Sequence, residues 1–392
     1  MKKICIILPK GLPVPALCGG AIETLITSII DINEEKKNFE ITVVSSFNKI
    51  LKKYEKTYKK TEFIYVKQNL RYIIKAILYK IYNSFSVAEK KTYQEIVLNK
   101  IKKNDYDYII VEGGPQDFYT SYTNFFDNKK MILHIHHNEI FSEIANETFG
   151  NIIFVSDYIK SSYIKNSKEN SNKFKVVLNG INTSKFTKKI FEKEKGEIRK
   201  KLGVKNDDFI VIYAGRVIPE KGVLELVEAI NLIEDKSIKL IIIGDLQNNK
   251  SDYVSEINNI IKNSSSKIIS AGYVNNDELY KFYQSSDLAV VPSLWEEAAG
   301  LVIIEQLISK LPIITTGSGG IPEYASDSVY YIKRDKNIKK NIAKKINYIK
   351  ENKKDVDKSA SNRLKQGLKF SENQMYQDFS KVINSIGENS DK

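Results

Sequence analysis

The sequence predicts an α/β protein: two Rossmann-like, doubly wound parallel-sheet domains on one chain. Three observations point there. Short apolar runs alternate with amphipathic segments along the 392 residues. Most of the runs are unbroken Ile, Val, Leu and Tyr rather than alternating, as in strands buried on both faces of a parallel sheet. The strand–helix series then runs twice, which puts helices on both faces of each sheet. A Lys- and Glu-dense stretch, 187–206, with few large apolar residues separates the halves. At roughly 150 residues per domain the length suits this division. The expected domains are 1–186 and 187–370, with 371–392 as a C-terminal helix and tail.

Residues 4–8 (Ile-Cys-Ile-Ile-Leu) read as the first buried strand. Behind Met1-Lys2-Lys3 they imitate a signal peptide, but the apolar stretch ends at Pro9-Lys10-Gly11, too short for a secretory core. A helix follows at 21–32, entered through Cys18-Gly19-Gly20. Strands are expected at 41–45 and 62–66. Next comes a helical stripe of Leu70, Ile73, Ile74, Ile77, Leu78 and Ile81, with Arg71 and Lys75 off it and Tyr72, Tyr79 and Tyr82 as amphipathic rings. The stripe either packs on the sheet, with solvated lysines outside, or lies on an anionic membrane surface. Strands at 108–112, 131–136, 152–156 and 175–178 complete the first series. The second series has strands at 209–214, 239–244, 267–270, 288–292, 312–315 and 329–332, with helices at 223–233, 254–261 and 301–308. Met375, Tyr376, Phe379, Val382 and Ile383 are spaced as a final helix.

Hydrophobic residues at 42% and charged residues at 28% exclude a disordered, collagenous or coiled-coil chain. Two cysteines, Cys5 and Cys18, are too few for a disulfide framework and suit a reducing, cytoplasmic compartment. No apolar run approaches the roughly 20 residues of a membrane span. The 61 Lys and Arg exceed the 48 Asp and Glu by 13, and residues 51–103 hold 14 of the former and 4 of the latter, a net of +10. No nucleic-acid recognition motif accompanies that charge, so no nucleic-acid partner is expected.

The chemistry concentrates at Pro292-Ser293-Leu294-Trp295-Glu296-Glu297-Ala298-Ala299-Gly300-Leu301-Val302-Ile303-Ile304-Glu305. A strand ends at Pro292 and a helix starts near Ala299. Ligands of open α/β sheets bind beyond the carboxyl ends of strands, and a helix N-terminus there offers free amides to phosphate. Glu297 in the turn and Glu305 two turns into the helix can hold hydroxyls at two separated points of one ligand. Glu297 is also simply well placed for the helix dipole. Arg216 and Lys221, five residues apart across a strand–helix loop, can converge on a diphosphate, or stand as two exposed loop cations. Gly319-Gly320-Ile321-Pro322-Glu323 gives another loop that lets backbone approach a ligand.

All three histidines lie in His134-Ile135-His136-His137. His134 and His136 share one strand face and His137 takes the other. They suit substrate contact at a strand end, or hydrogen-bonded burial, most of all for His134. A metal reading lacks a helical HExxH motif or a further ligand cluster, so no metal is expected. Asp105-Tyr106-Asp107 has DxD spacing but precedes a strand, the wrong end for a ligand, and reads as a turn. No Walker lysine motif, GxSxG elbow or CxxC pair occurs.

Together these residues resemble retaining glycosyltransferases of the GT-B fold, glycosyltransferase family 4 (glycosyl transferases group 1), of the bacterial surface-polysaccharide type. Glu297 and Glu305, with seven residues between, match the E-x7-E motif. Asn179-Gly180-Ile181-Asn182 with Phe186 looks like the NGxD…F segment, with Asn182 where Asp is usual. Gly215-Arg216, Lys221-Gly222, Gly272-Tyr273-Val274, Ser286-Asp287 and Gly319-Gly320-Ile321-Pro322-Glu323 fall in the family's order. Gly19-Gly20 and His136 match its N-terminal landmarks. The resemblance spans residues 1 to about 385 and is weakest from 50 to 130. Two departures stand out: Ala298-Ala299-Gly300 replaces Gly-Phe-Gly, and Lys310 stands where a Gly precedes Leu-Pro. A family Gly there implies special backbone angles, so Lys310 is a strain candidate.

The resemblance implies a GT-B architecture, two Rossmann-like domains facing a cleft, with a C-terminal helix able to cross back to the first. It implies transfer of a sugar from a nucleotide-sugar donor to an acceptor hydroxyl with retained configuration. Arg216 and Lys221 would neutralise the donor diphosphate without a metal, and no cofactor is needed. Amides near Gly300, Leu301 and Val302 would hold phosphate. Glu297 would bind the transferred sugar, Glu305 the ribose, and Tyr273 and Val274 the base. Gly19 and Gly20 would allow close approach of diphosphate and acceptor, and His136 would contact the donor sugar or the reaction centre. The basic first domain suits a peripheral enzyme working on a glycan or lipid-linked sugar acceptor at the inner face of the cell membrane, held there through residues 51–103. The competing classes are an epimerase-like enzyme on the same fold, which would turn over nucleotide sugar without acceptor, and a non-catalytic polyanion-binding or partner subunit.

Overall fold

A computed structural model describes residues 1–54, 57–80, 85–165, 172–248, 251–264 and 267–388. It divides into two compact units: Met1–Gly180 with Glu372–Lys392, and Ile181–Ser371. The first holds seven strands, β1 (Lys2–Ile7), β2 (Phe39–Ser46), β3 (Thr61–Val66), β4 (Tyr108–Val111), β5 (Met131–Ile135), β6 (Asn151–Phe154) and β7 (Phe174–Val176), in the order β3-β2-β1-β4-β5-β6-β7. The second holds six, β8 (Phe209–Ala214), β9 (Ile238–Ile243), β10 (Lys267–Gly272), β11 (Leu288–Val291), β12 (Ile313–Thr316) and β13 (Tyr330–Ile332), in the order β10-β9-β8-β11-β12-β13. Every pairing is parallel. The unbroken apolar runs are the central strands: β8 and β11 are buried along their whole length.

In each sheet the strand order reverses at one point, between β1 and β4 in the first and between β8 and β11 in the second. Chains that leave neighbouring strands in opposite directions open a crevice at their carboxyl ends, and that is where open α/β sheets take ligands.

The first unit carries helices α1 (Ala21–Lys36), α2 (Leu70–Lys80) and α3 (Phe85–Ile101). The stripe expected to pack on the sheet or on a membrane faces outward: Leu70, Ile73, Ile74, Ile77 and Leu78 are exposed, whereas Tyr72 and Ala76 are buried. Ile81 and Tyr82 lie outside the described residues. Asp105 and Asp107 form the turn before β4, where the Lys3 amide donates to Asp107 Oδ2 at 2.7 Å.

The second unit begins at Ile181, whose N–H donates to Phe370 O at 3.0 Å and which bridges to Ser371. Phe186 packs on Tyr283 at 6.2 Å between ring centroids, so 181–186 belong to this unit. The polar stretch 187–206 contains a helix, Glu192–Lys201, anchored by buried Arg199. Arg199 donates to Ser285 O, Asn206 O and Asp287 Oδ2 at 3.1, 2.6 and 2.8 Å. Helices of this unit that bear on the site are α4 (Val223–Asn231), α5 (Leu301–Ile308) and α6 (Ile321–Ala325).

Lys310 adopts the left-handed conformation, φ 64°. It ends α5 in a Schellman pattern: Leu311 N–H donates to Gln306 O at 3.0 Å and Lys310 N–H to Leu307 O at 2.9 Å. The strain expected of a side chain there is present.

The last helix, α7 (Glu372–Glu388), returns to the first unit. Phe379 meets Phe39 edge-on at 6.3 Å. The Tyr376 hydroxyl donates to Asn33 Oδ1 at 2.8 Å, and Lys2 Nζ donates to Ile383 O at 3.1 Å. Met375, Tyr376, Phe379, Ile383 and Ile386 are all buried in that core.

Candidate active site

In the second unit the expected residues gather where β8 and β11 part. The loop after β8 runs through Gly215 and exposed Arg216 to Lys221 and Gly222. Gly222 has φ 68° and caps α4, and a Cβ there would lie 2.2 Å from Pro292 O. Leu294 N–H donates to Glu220 O at 2.8 Å. These two close approaches press the β8 loop onto the β11 loop and bring Lys221 to Glu297.

Lys221 Nζ lies 2.5 Å from Glu297 Oε1 and 5.4 Å from the centroid of the Trp295 ring. The Ser293 hydroxyl donates to the same carboxylate oxygen at 2.6 Å. The carboxylate is buried, and a buried charge persists when paired and hydrogen-bonded in this way. Its backbone is pinned as tightly. Gly320 N–H donates to Glu297 O at 2.7 Å, and a Cβ on Gly319 (φ 58°) would lie 2.1 Å from that oxygen. Only glycine fits at 319, which explains the Gly-Gly pair before α6. Glu296, a neighbour the sequence did not single out, accepts the Gly319 amide at 2.6 Å and pairs with Arg334, whose guanidinium also donates to Leu294 O at 2.9 Å.

α5 starts beside this network after Gly300, φ 83°. First-turn amides have no acceptor one turn back, so those of Leu301 and Val302 face out at the positive end of the helix dipole. Glu305 lies one turn further along. It does not touch Glu297 or Lys221; its Oε2 accepts the Tyr283 hydroxyl at 2.9 Å. Burial raises its carboxyl to about 7, against the smaller opposing pulls of the Tyr283 hydrogen bond and Lys185. Tyr273, fully out in solvent, and Val274 follow Gly272 at the carboxyl end of β10.

The first unit holds Gly19, Gly20 and His136. Gly19 and Gly20 have φ 78° and 97° in the approach to α1, and a Cβ on Gly20 would meet the Glu23 carboxylate at 2.0 Å. His134 and His136 do share a face, and both end on one buried carboxylate oxygen: Glu112 Oε2 is 2.9 Å from His134 Nδ1 and 2.6 Å from His136 Nε2. Burial pushes the Glu112 carboxyl up, and the two imidazoles together overcome this and leave it at about 2. Burial, then His134, pulls His136 down to about 4 against Glu112. His137 points away and pairs with Glu139 at 3.1 Å. His136 Nε2 is on Glu112, and Nδ1 is buried without a partner among the described residues.

Sequence reasoning missed Glu112. The signal is there only in hindsight: β4 and β5 pair Val111 with Leu133, which sets Glu112 across from His134. The three side chains are a possible donor set for a metal ion. However, His134 Nε2 and His136 Nδ1 find no acceptor among the described residues, and such outer contacts are what orient metal-binding imidazoles.

Two parallel α/β units on one chain, each with its residues of interest at the switch-point end of the sheet, define the GT-B class. The fold matches that of Anabaena HepE, solved in complex with UDP and glucose, with a TM-score of 0.76 over 98% of this chain and 100% of that one at 19% identity. Residues 194–366 match the model of the family Glycosyl transferases group 1. Curated relatives include the lipopolysaccharide 1,2-N-acetylglucosaminetransferase of Salmonella typhimurium, 25% identical over 271 residues (67% of this chain, 69% of the relative). Spore coat protein SA of Bacillus subtilis is 25% identical over 363 residues (88% and 89%).

Proposed function

We propose that this glycosyltransferase moves a sugar from a nucleotide-sugar donor to a hydroxyl of a growing surface polysaccharide, with retention and without a metal. The observation that carries the reading is the Lys221–Glu297–Ser293 cluster beside the first turn of α5 at one switch point. Departure of a nucleoside diphosphate builds negative charge on its phosphate. Lys221, exposed Arg216 and the Leu301 and Val302 amides stabilise it where it forms, and preorganised charges of this kind act most strongly on a transition state. Lys221 reaches the phosphate by swinging off Glu297, and Glu297 then accepts hydroxyls of the transferred sugar. Glu305 accepts the ribose, and Tyr273 and Val274 border the base. The acceptor attacks on the face the diphosphate leaves, and the departing phosphate takes its proton. His136 acts through its ring edge or backbone, because Glu112 holds its Nε2. Gly19 and Gly20 let substrate approach the backbone at the end of β1.

The complex of HepE with UDP and glucose supports a UDP-type donor. The names of the relatives, lipopolysaccharide transferase and spore coat protein among them, support a cell-surface glycan, here a lipid-linked precursor met at the cytoplasmic face of the membrane. The deciding experiment is a panel of nucleotide sugars scored by thermal shift and nucleoside diphosphate release, with and without EDTA. Stabilisation by one donor with EDTA-insensitive release is expected. Release abolished by EDTA would overturn metal independence, and no response to any donor would overturn the donor assignment.

A further inference from the structure

α2 is built inside out for a helix that meets only water. Leu70 is 72% exposed, Ile73 49%, Ile74 51%, Ile77 53% and Leu78 59%. At 100° per residue these five positions fall within an arc of about 140°. The helix does pack, but through its other side. Tyr72 and Ala76 are buried, the Tyr72 hydroxyl donates to Glu89 O at 2.9 Å, and Lys75 pairs with Glu95 of α3. Scattered exposed aliphatics are ordinary, but a contiguous patch on one helix face marks an interaction surface.

The charge says what covers it. Leu70–Lys80 contains Arg71, Lys75 and Lys80 and no acid. By helical periodicity positions 71 and 80 border the apolar arc on its two sides. Lys67 is exposed just ahead of the helix, and the surrounding 51–103 segment has a net charge of +10. Such a face repels a second copy of itself and matches an anionic lipid surface, where a basic helix with a broad apolar face lies in the interface plane.

We propose that α2 seats the first unit on an anionic phospholipid membrane, with Leu70, Ile73, Ile74, Ile77 and Leu78 inserted at the acyl boundary and the flanking cations on the headgroups. This deepens the lipid-linked acceptor reading and rests on it: the helix brings the enzyme to the surface in which such an acceptor is embedded. Insertion, not charge alone, holds it there.

The test uses the full chain, vesicles of phosphatidylglycerol with phosphatidylcholine, and the double variant Ile74→Asp/Ile77→Asp. Both positions are exposed, so folding should be unaffected, which circular dichroism and the melting temperature check. Wild type should float with the anionic vesicles and keep part of its binding at high salt. The double variant should lose roughly tenfold to a hundredfold in partition, with donor-only nucleoside diphosphate release in solution unchanged. Lys67→Gln should weaken binding only at low salt. Equal binding by wild type and double variant, or no wild-type binding, would overturn the proposal. So would a wild-type dimer that the double variant dissociates without any vesicle binding, since the face would then belong to a second copy. No vesicle binding by the wild type, with its donor release intact, removes this proposal alone. Vesicle binding with no release from any donor removes the transferase reading and leaves the membrane face standing.

Discussion

Replacing Glu305 with Gln should make the second unit more stable and the enzyme worse. The carboxyl rises from 4.5 to about 7 because it is buried, and at about 1.4 kcal/mol per pKa unit this is roughly 3 kcal/mol of unfavourable charge burial at high pH. The sign follows from proton counting. Between pH 4.5 and 7 the folded state holds a proton that the unfolded state has released, so stability falls as pH rises across that window and the full penalty applies above it. Gln keeps an oxygen to accept the Tyr283 hydroxyl and removes the charge. For a unit of this size 1 kcal/mol moves Tm by about 2–4 °C, so the variant should melt roughly 5–10 °C higher at pH 8 and close to wild type at pH 5. Nucleotide binding should move the other way. Wild-type affinity should strengthen from pH 6 to 8 as the carboxylate forms, and the variant should bind at least tenfold more weakly with that dependence gone. Differential scanning fluorimetry and titration with nucleoside diphosphate across pH 5–8 measure both. A variant less stable than wild type at pH 8, or a stability gap that ignores pH, would refute the reasoning.

Lys221→Ala should cut nucleoside diphosphate release by about 10²–10³. It should also destabilise by about 1–3 kcal/mol, because it strands the Glu297 carboxylate on Ser293 alone; near-normal turnover would remove the diphosphate role. Lys310→Gly should raise stability by about 0.5–1 kcal/mol, since relief of a left-handed side chain at about 1–2 kcal/mol exceeds the entropy cost of glycine; chemical denaturation reads it, and turnover should not change. A chain stopped at Ser371 loses five buried apolar side chains from the first unit. At about 1.5–3 kcal/mol each this rivals the whole stability of a domain, so such a chain should give an aggregating product with the Ile181–Ser371 unit alone resistant to protease.

The sheets were legible because each central strand is wrapped in protein, so its sequence needs no polar side. The E-x7-E spacing located the second-unit cluster for a similar reason: strand end, turn and helix start follow one another within a few residues, and local sequence sets their geometry. Lys310 was readable as strained because the family it resembles carries a Gly before Leu-Pro, which implies special backbone angles. What depended on distant partners was not legible. Periodicity showed that the stripe of α2 lies on one face but not which face meets solvent, since that is set by Tyr72 and Ala76 packing toward α3. Glu112 could not be joined to His134 and His136 without the β4–β5 register. The stretch 187–206 looked like a linker from its composition, yet one buried arginine, Arg199, ties its helix to residues 285–287.

The return of α7 also sets an order of assembly during synthesis. α1 and β2 leave the ribosome early, but the side chains that cover them, Tyr376, Phe379 and Ile383, are translated only after the whole Ile181–Ser371 unit. The Ile181–Ser371 unit can therefore close on the nascent chain while the N-terminal sheet still has one face open. A transcript broken anywhere before codon 372 yields a polypeptide with that greasy face permanently uncovered, the kind of surface that chaperones and proteases recognise. A single late segment thus decides whether the first sheet is sealed.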